Sequence, residues 1–138
     1  MEPQPTRPLP SLDEPDTRQF WEATRDHELR FQRCSACHGI VFHPRGHCTH
    51  CLSEDLAWVR SAGLGTIYTF SIVRKSWHPF FRAIAPYAVA WIDLDEGFRM
   101  MSNVTGVEDP ALELSVGQHV RVEWEDHEGL SIPLFRPV

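Results

Sequence analysis

The four cysteines are the residues whose spacing predicts a definite chemistry. They form two CxxC pairs separated by ten residues, Cys34 with Cys37 and Cys48 with Cys51. Two such pairs direct four thiolates at one point, which is the ligand spacing of a zinc ribbon. A disulfide framework needs the same even number of cysteines, and a rubredoxin-like iron site uses similar ligands. The sequence has no signal-peptide pattern, so we expect a cytoplasmic, reducing compartment in which these cysteines hold Zn²⁺.

The predicted zinc site is structural. Four thiolates close the tetrahedral coordination sphere and leave no position for water or substrate. Histidines inside or beside the two cysteine pairs are further potential ligands, but we interpret them as exposed polar residues: His38, His43, His47 and His50.

A second constellation lies in residues 74–86, where aromatic and cationic side chains occur together without alternation. This combination suits a phosphate-bearing ligand with a flat or apolar portion, and it also suits bases of a single strand stacked on aromatic rings. A loop this apolar either folds back over its own domain or contacts a partner. The candidate ligand or partner contacts are Arg74, Lys75, Trp77, His78, Phe81 and Arg82.

Catalytic motifs do not accompany these two constellations. The sequence has no nucleophile elbow and no glycine-rich phosphate loop, so we expect no catalysis by this chain alone.

The formal net charge of −6 counts against general binding of phosphate backbones, and residues 64–138 carry ten acidic and six basic side chains. A single-stranded nucleic-acid binder is therefore the alternative function and not the preferred one. No apolar run is long enough to span a membrane.

The N-terminal half predicts a tail, a helix and a ribbon. Residues 1–15 hold five of the eleven prolines and are predicted to be a disordered tail or linker. Residues 16–33 predict a helix, with Asp16 as N-cap and Gln19 at the capping-box position, and then a strand. Residues 34–62 predict the zinc ribbon, in which Gly39 supplies a left-handed turn.

Residues 63–138 predict a barrel. Period-2 patterns indicate strands at 67–73, 87–92 and 98–102, and Asp109-Pro110 begins a single helical turn. Two further strands follow, so a short helix separates the third strand from the fourth, which is the order of an OB-fold. The predicted fold is mainly β, with an N-terminal helix and a rubredoxin-like zinc ribbon followed by a five-stranded OB-fold barrel.

Residues 18–138 resemble the DUF35 family, in which a rubredoxin-like zinc ribbon precedes an OB-fold. The family's motifs occur here in the family's order: Phe20-Trp21-Glu22, Gln32-Arg33-Cys34-x-x-Cys37, Phe42-x-Pro44-Arg45, Cys48-x-x-Cys51, Gly65-Thr66-Ile67-Tyr68-Thr69-Phe70, Ala85-Pro86-Tyr87, Leu94-Asp95-Glu96-Gly97 and Pro133-Leu134-Phe135. The departure is at the second cysteine pair, where Leu52-Ser53 replaces the Gly-Ser that often follows it in the family.

The resemblance implies a helper role beside a thiolase-like enzyme of the lipid-transfer-protein type. In such complexes the partner supplies the catalytic residues and the OB-fold part helps to form the acyl-CoA channel. The implied reaction is thiolysis, condensation or the retro-aldol cleavage used in steroid side-chain degradation. Some relatives are fused to a hydratase through a proline-rich linker, and residues 1–15 are similar to such a linker.

Overall fold

The computed structural model describes residues 4–138, whose regular elements are three short helices and eight strands. In chain order these elements are α1 (Arg18–Thr24), β1 (Arg30–Cys34), β2 (Ile40–Val41), β3 (Leu56–Arg60), β4 (Leu64–Val73), α2 (Pro79–Ile84), β5 (Tyr87–Leu94), β6 (Arg99–Val104), α3 (Pro110–Glu113), β7 (His119–Asp126) and β8 (Ser131–Pro137). In this part of the chain no helix is long and apolar enough to span a membrane.

The N-terminal sheet has three strands in the order β2-β1-β3. The sequence patterns predicted β1 and the β2 hairpin but not β3. That strand pairs antiparallel along the whole of β1, from Cys34 opposite Leu56 to Arg30 opposite Arg60. Its side chains are half-buried or exposed without strict alternation, so the period-2 signal is weak there.

The C-terminal part is a closed barrel with the strand order β4-β5-β6-β8-β7. Strands β6 and β8 pair in parallel, and β7 closes the barrel against β4. The short helix α3 lies between β6 and β7 and is capped by Asp109, whose carboxylate accepts a hydrogen bond from the backbone N–H of Ala111. The predicted fold class, with its five-stranded OB-fold barrel, is therefore confirmed.

One hydrophobic core joins the N-terminal sheet of β1, β2 and β3, called the ribbon sheet below, to the barrel. Phe98 immediately precedes β6, and its ring lies 4.8 Å from the ring of Phe31 in β1 and 4.9 Å from that of Phe42. Helix α1 adds Phe20 to the same cluster. The buried hydroxyl of Thr24 also accepts a hydrogen bond from the backbone N–H of Ser131 at 3.0 Å, which joins α1 to β8. Burial of this shared surface holds the two sheets in a fixed relation.

The start of α1 differs from the sequence prediction. The N-cap is Thr17, not Asp16, and its side chain makes no capping hydrogen bond. The helix instead begins in a turn in which the backbone N–H groups of Thr17 and Arg18 both donate to the carbonyl of Glu14. Because that turn already satisfies two N–H groups, the helix forms without the predicted capping box.

Of the predicted tail, residues 1–3 lie outside the described part of the chain, and residues 4–13 form no helix or strand. This segment is nevertheless in contact with the folded domain. The guanidinium of Arg7 pairs with Glu125 of β7, and the guanidinium of Arg18 donates to the carbonyl of Leu12 at 3.1 Å.

Helix α2 was not predicted. It occupies six residues inside the aromatic segment 74–86 and has no buried residue. Its start has the ordinary features of a helix N-terminus, since His78 is the N-cap and Pro79 is the first helical residue. The apolar side chains of this helix do not follow a 3.6-residue period, so no helical pattern is visible in the sequence.

Candidate metal centre and ligand surface

The four cysteines converge as the spacing predicted. Their Sγ atoms all lie within 4.8 Å of one another, and the pairs Cys34–Cys51 and Cys37–Cys48 are each 3.6 Å apart. A tetrahedral site with Zn–S bonds of about 2.3 Å has sulfur–sulfur distances of about 3.8 Å. The cluster therefore has the size of a closed S₄ metal site. Cys34 and Cys48 are buried beside Val41, while Cys37 and Cys51 are exposed.

The two cysteine pairs have the same backbone geometry. In each, the N–H of the residue after the second cysteine donates to the carbonyl of the first, His38 to Cys34 at 2.8 Å and Leu52 to Cys48 at 3.0 Å. Both donor residues are in the left-handed region, with φ of 63° for His38 and 67° for Leu52. Backbone N–H groups also point at the sulfurs, including that of His50 at 3.3 Å from Cys48 Sγ. Such N–H groups stabilise thiolates.

The predicted role of Gly39 is wrong in one respect. The left-handed residue of the first turn is His38, and Gly39 does not have a positive φ. Glycine is needed at position 39 for space, because a Cβ there would lie 2.6 Å from Cδ2 of His50. In the second turn the left-handed residue is likewise not a glycine but Leu52, so that turn needs no glycine for its backbone conformation.

Hydrogen bonds and desolvation move the pKa values of the four cysteine thiols in different directions. The pKa of the Cys34 thiol is lowered to about 6, chiefly by the backbone N–H of Cys37. For Cys51 the backbone N–H of Ser53 acts in the same direction, but the neighbouring sulfur of Cys34 and desolvation raise the pKa of Cys51 to about 12. Four thiolates this close need a cation to neutralise them, and a divalent metal held by the four sulfurs would provide that charge.

The aromatic segment forms an exposed cleft beside α2. Four of the six candidate contact residues line one open cleft of about 440 Å³ together with Ser76 and Ala85: Arg74, Lys75, Trp77 and Arg82. The side chain of Trp77 is 96% exposed. An indole in water surrounded by three cations is an arrangement that can stack on a flat ring and attract phosphates.

Of the remaining two candidates, His78 immediately precedes α2 and Phe81 lies within it. His78 caps the helix, its Nδ1 accepting from the backbone N–H of Phe80 at 3.1 Å. The ring of Phe81 packs against that of Tyr87 at 5.6 Å. Arg82 lines the cleft but also donates to the carbonyl of Trp77 at 2.8 Å, so it fixes the loop that carries the indole. His78 and Phe81 therefore organise the segment and do not line its cleft.

Arg7 also belongs to this region, although the sequence patterns did not predict its contact with α2. Its guanidinium carbon lies 4.7 Å from the ring centroid of Phe80 in α2, and its side chain is only 9% exposed. The sequence offers no local signal for this contact, since Arg7 stands in a proline-rich segment and its partners are about a hundred residues away.

Comparison with known proteins identifies the family. Residues 21–57 match the rubredoxin-like zinc ribbon domain of ChsH2, and residues 58–125 match the C-terminal OB-fold domain of ChsH2. A chain in the solved structure of the Ltp2-ChsH2(DUF35) aldolase is 32% identical, with a TM-score of 0.82 over 95% of this chain and 98% of that chain. The chain belongs to the DUF35 family.

Two further relatives are much longer proteins. A probable enoyl-CoA hydratase alpha subunit from Thermomonospora curvata is 35% identical over 98% of this chain and 41% of its own length. The 3-oxo-4,17-pregnadiene-20-carboxyl-CoA hydratase alpha subunit of Mycobacterium tuberculosis is 31% identical over 88% of this chain and 38% of its own length. This DUF35 chain thus spans about two fifths of the length of these curated relatives.

Proposed function

We propose that this chain is a non-catalytic accessory subunit that docks on a thiolase-superfamily enzyme and forms part of its acyl-CoA channel. The observation that carries the proposal is the match, over nearly its whole length, to a chain of the Ltp2-ChsH2(DUF35) aldolase. Retro-aldol cleavage is accordingly the proposed reaction, in preference to thiolysis or condensation. The names of two relatives refer to CoA thioesters, one of them of a pregnadiene, and support an acyl-CoA with a steroid or other large apolar acyl group.

The proposed role of the four cysteines is to hold structural Zn²⁺. A ribbon of this size has little core of its own, and only Val41 and Leu56 accompany the buried cysteines in its local cluster. Metal binding then supplies much of the free energy that folds the ribbon. Because the ribbon sheet shares its core with the barrel, a folded ribbon also fixes the surface on which a partner would dock.

The proposed role of the Trp77 cleft is to contact the CoA part of the substrate. Arg74, Lys75 and Arg82 are the cationic side chains around the indole, and they offer charge to the phosphates of CoA while Trp77 offers a stacking face to adenine. The barrel is acidic overall, since residues 64–138 carry ten acidic and six basic side chains, and three of those six basic side chains line the cleft. The positive charge is thus concentrated where an anionic ligand would be held.

Co-expression with a thiolase-like protein encoded near this chain's gene tests the proposal. We expect the two proteins to co-purify at a fixed stoichiometry, and we expect the partner to cleave its acyl-CoA substrate only in the complex. A parallel co-expression with an enoyl-CoA hydratase subunit is the control, because the relatives' names make it the main competing partner. The proposal fails when the thiolase-like protein is soluble and fully active alone. Tight binding of mixed single-stranded oligonucleotides at low salt would instead favour the nucleic-acid alternative.

Metal analysis of the purified chain tests the proposed zinc site separately. We expect one zinc per chain and a colourless protein. A strongly red protein containing iron would contradict the assignment, because ferric S₄ sites absorb visible light and zinc does not.

A further inference from the structure

Helix α2 has little of its own to hold it in place. It has six residues and none of them is buried. Helices this short are not stable in isolation, so contacts with the rest of the chain must fix its position. From the adjacent strand β5, Tyr87 packs against Phe81. A further contact with the helix comes from the far N-terminal segment, through Arg7.

The contacts of Arg7 join three parts of the chain at one point. Its Nε donates to Glu125 Oε1 at 2.5 Å and its Nη2 to Glu125 Oε2 at 3.1 Å, a two-pronged pair with β7. Its Nη1 donates to Oδ1 of Asn103 in β6 at 3.4 Å. The guanidinium also lies over two rings of α2, with its carbon 4.7 Å from the centroid of Phe80 and 5.6 Å from that of Phe81.

The ion pair of Arg7 with Glu125 and its cation–π contacts with Phe80 and Phe81 are stronger than is usual for a surface segment. A guanidinium that pairs with a carboxylate through two hydrogen bonds has a fixed orientation, and the same plane then stacks on aromatic rings. The Arg7 side chain is 9% exposed, so water screens the pair and the cation–π contact less than it would at an open surface. At the other end of the segment, Arg18 donates to the carbonyls of Leu12 and Asp13, which limits how far the segment can move away.

We propose that Arg7 is a positioning residue for the Trp77 cleft. Arg7 is held by Glu125 and in turn contacts Phe80 and Phe81, so it holds α2 in place. The position of α2 then fixes the loop that presents Trp77 and Arg82 to an anionic ligand. The loop follows the helix because Arg82, a residue of α2, donates to the carbonyl of Trp77. The consequence for ligand binding rests on the proposed function, whereas the clamping of α2 does not.

Amide hydrogen exchange of the whole chain tests the clamp without any ligand. We expect Arg7→Ala to raise exchange several-fold in residues 80–84, while exchange in β5 and β7 stays at the parental rate. Arg7→Lys keeps the charge but not the two-pronged pair, and it should give an intermediate rate. Glu125→Gln should raise exchange in the same helix. Arg121→Ala, which removes an exposed arginine from the same strand as Glu125, is the matched control and should change nothing in α2.

Titration of the same variants with coenzyme A completes the test. We expect Arg7→Ala to weaken binding several-fold and Arg121→Ala to leave it unchanged. Parental exchange of α2 in Arg7→Ala would overturn the proposal, and so would a rise in exchange throughout the barrel, which indicates general destabilisation. Looser α2 with unchanged affinity for coenzyme A would overturn the positioning role. If the parent chain does not bind coenzyme A, the proposed ligand is wrong, and the exchange rates alone decide whether Arg7 holds α2.

Discussion

The carboxylate of Glu96 accepts a hydrogen bond from the hydroxyl of Ser61 at 2.7 Å, which joins the connection between ribbon and barrel to the β5–β6 hairpin. Its second oxygen accepts from the backbone N–H of Ala62, also at 2.7 Å. Ser61 is only 5% exposed, so water does not readily replace the carboxylate. One side chain therefore accepts hydrogen bonds from two consecutive residues of the connection between the two sheets.

Replacing Glu96 with alanine should lower the stability of the whole chain. The buried hydroxyl of Ser61 loses its acceptor, and leaving such a group unsatisfied costs about 1–3 kcal/mol, whereas the exposed N–H of Ala62 can turn to water. We expect the urea concentration at the midpoint of unfolding to fall, while the slope of the unfolding free energy against urea concentration stays unchanged. Glu128→Ala, which removes an exposed carboxylate from the β7–β8 turn, is the control and should keep the parental midpoint. Equal midpoints for the two variants would show that the Glu96 contacts contribute nothing to stability.

Adding a methyl group at Gly39 should destabilise the ribbon through a steric clash. The new Cβ would lie 2.6 Å from Cδ2 of His50, and overpacking of this kind costs about 1–3 kcal/mol. We expect Gly39→Ala to unfold at a lower temperature than the parent. The double variant with His50→Ala removes the obstructing ring and should recover part of the loss. A double variant no better than the sum of the single changes would contradict the steric explanation.

The ribbon ligands and the barrel were predictable because their signals are local. Two CxxC pairs bring their thiolates together whatever surrounds them, and half-buried strands such as β7 alternate apolar and polar residues. The Gly97 hairpin was also visible, since its three-residue turn needs a left-handed residue and Gly97 has a φ of 109°.

The surroundings of the candidate ligand site were not predictable from local patterns. Helix α2 buries no side chain, so it leaves no period in the sequence. Its attachment depends on a pair between Arg7 and Glu125, which are separated by 118 positions and become neighbours only once the barrel closes. The left-handed residues His38 and Leu52 were missed because position, not residue type, sets the conformation at the end of each cysteine pair.

Removing one cysteine ligand should unfold the ribbon and weaken the barrel. Cys34 is fully buried at the end of β1, so Cys34→Ser leaves an incomplete metal site next to the shared core. We expect less than one zinc per chain and a large drop in the unfolding temperature. Chelation of the parent under reducing conditions should produce the same loss of structure. A parental unfolding temperature for a zinc-free Cys34→Ser chain would show that the metal is dispensable for folding.

The ion pairs of Glu125 should make stability depend on pH in the acid range. Burial acts to raise the pKa of Glu125, but Arg7 and His127 together lower it below its ordinary value of 4.5. The unfolded chain then binds this proton more readily than the folded chain, so the stabilisation is complete above the unfolded pKa and is lost as pH falls through the folded pKa. We expect the parent to lose stability more steeply below pH 4.5 than Glu125→Gln.

Urea unfolding of both chains between pH 3 and pH 7 measures this difference. Protonation of the cysteine ligands affects the parent and Glu125→Gln alike, so it cancels when the two curves are subtracted. If the difference in unfolding free energy between the parent and Glu125→Gln stays constant from pH 3 to pH 7, the ionised carboxylate is not stabilised by its partners in the folded chain.

Truncation of Trp77 should separate ligand binding from folding. The indole is 96% exposed, so Trp77→Ala removes almost no buried surface and should leave the unfolding temperature unchanged. Stacking of one base on an aromatic side chain contributes about 1–3 kcal/mol, so coenzyme A should bind at least about fivefold more weakly. Leu112→Ala is the matched control, since Leu112 is also exposed, at 84%, but lies on α3, away from the cleft. If Trp77→Ala retains both parental affinity for coenzyme A and parental turnover in the partner complex, the cleft is not the CoA contact.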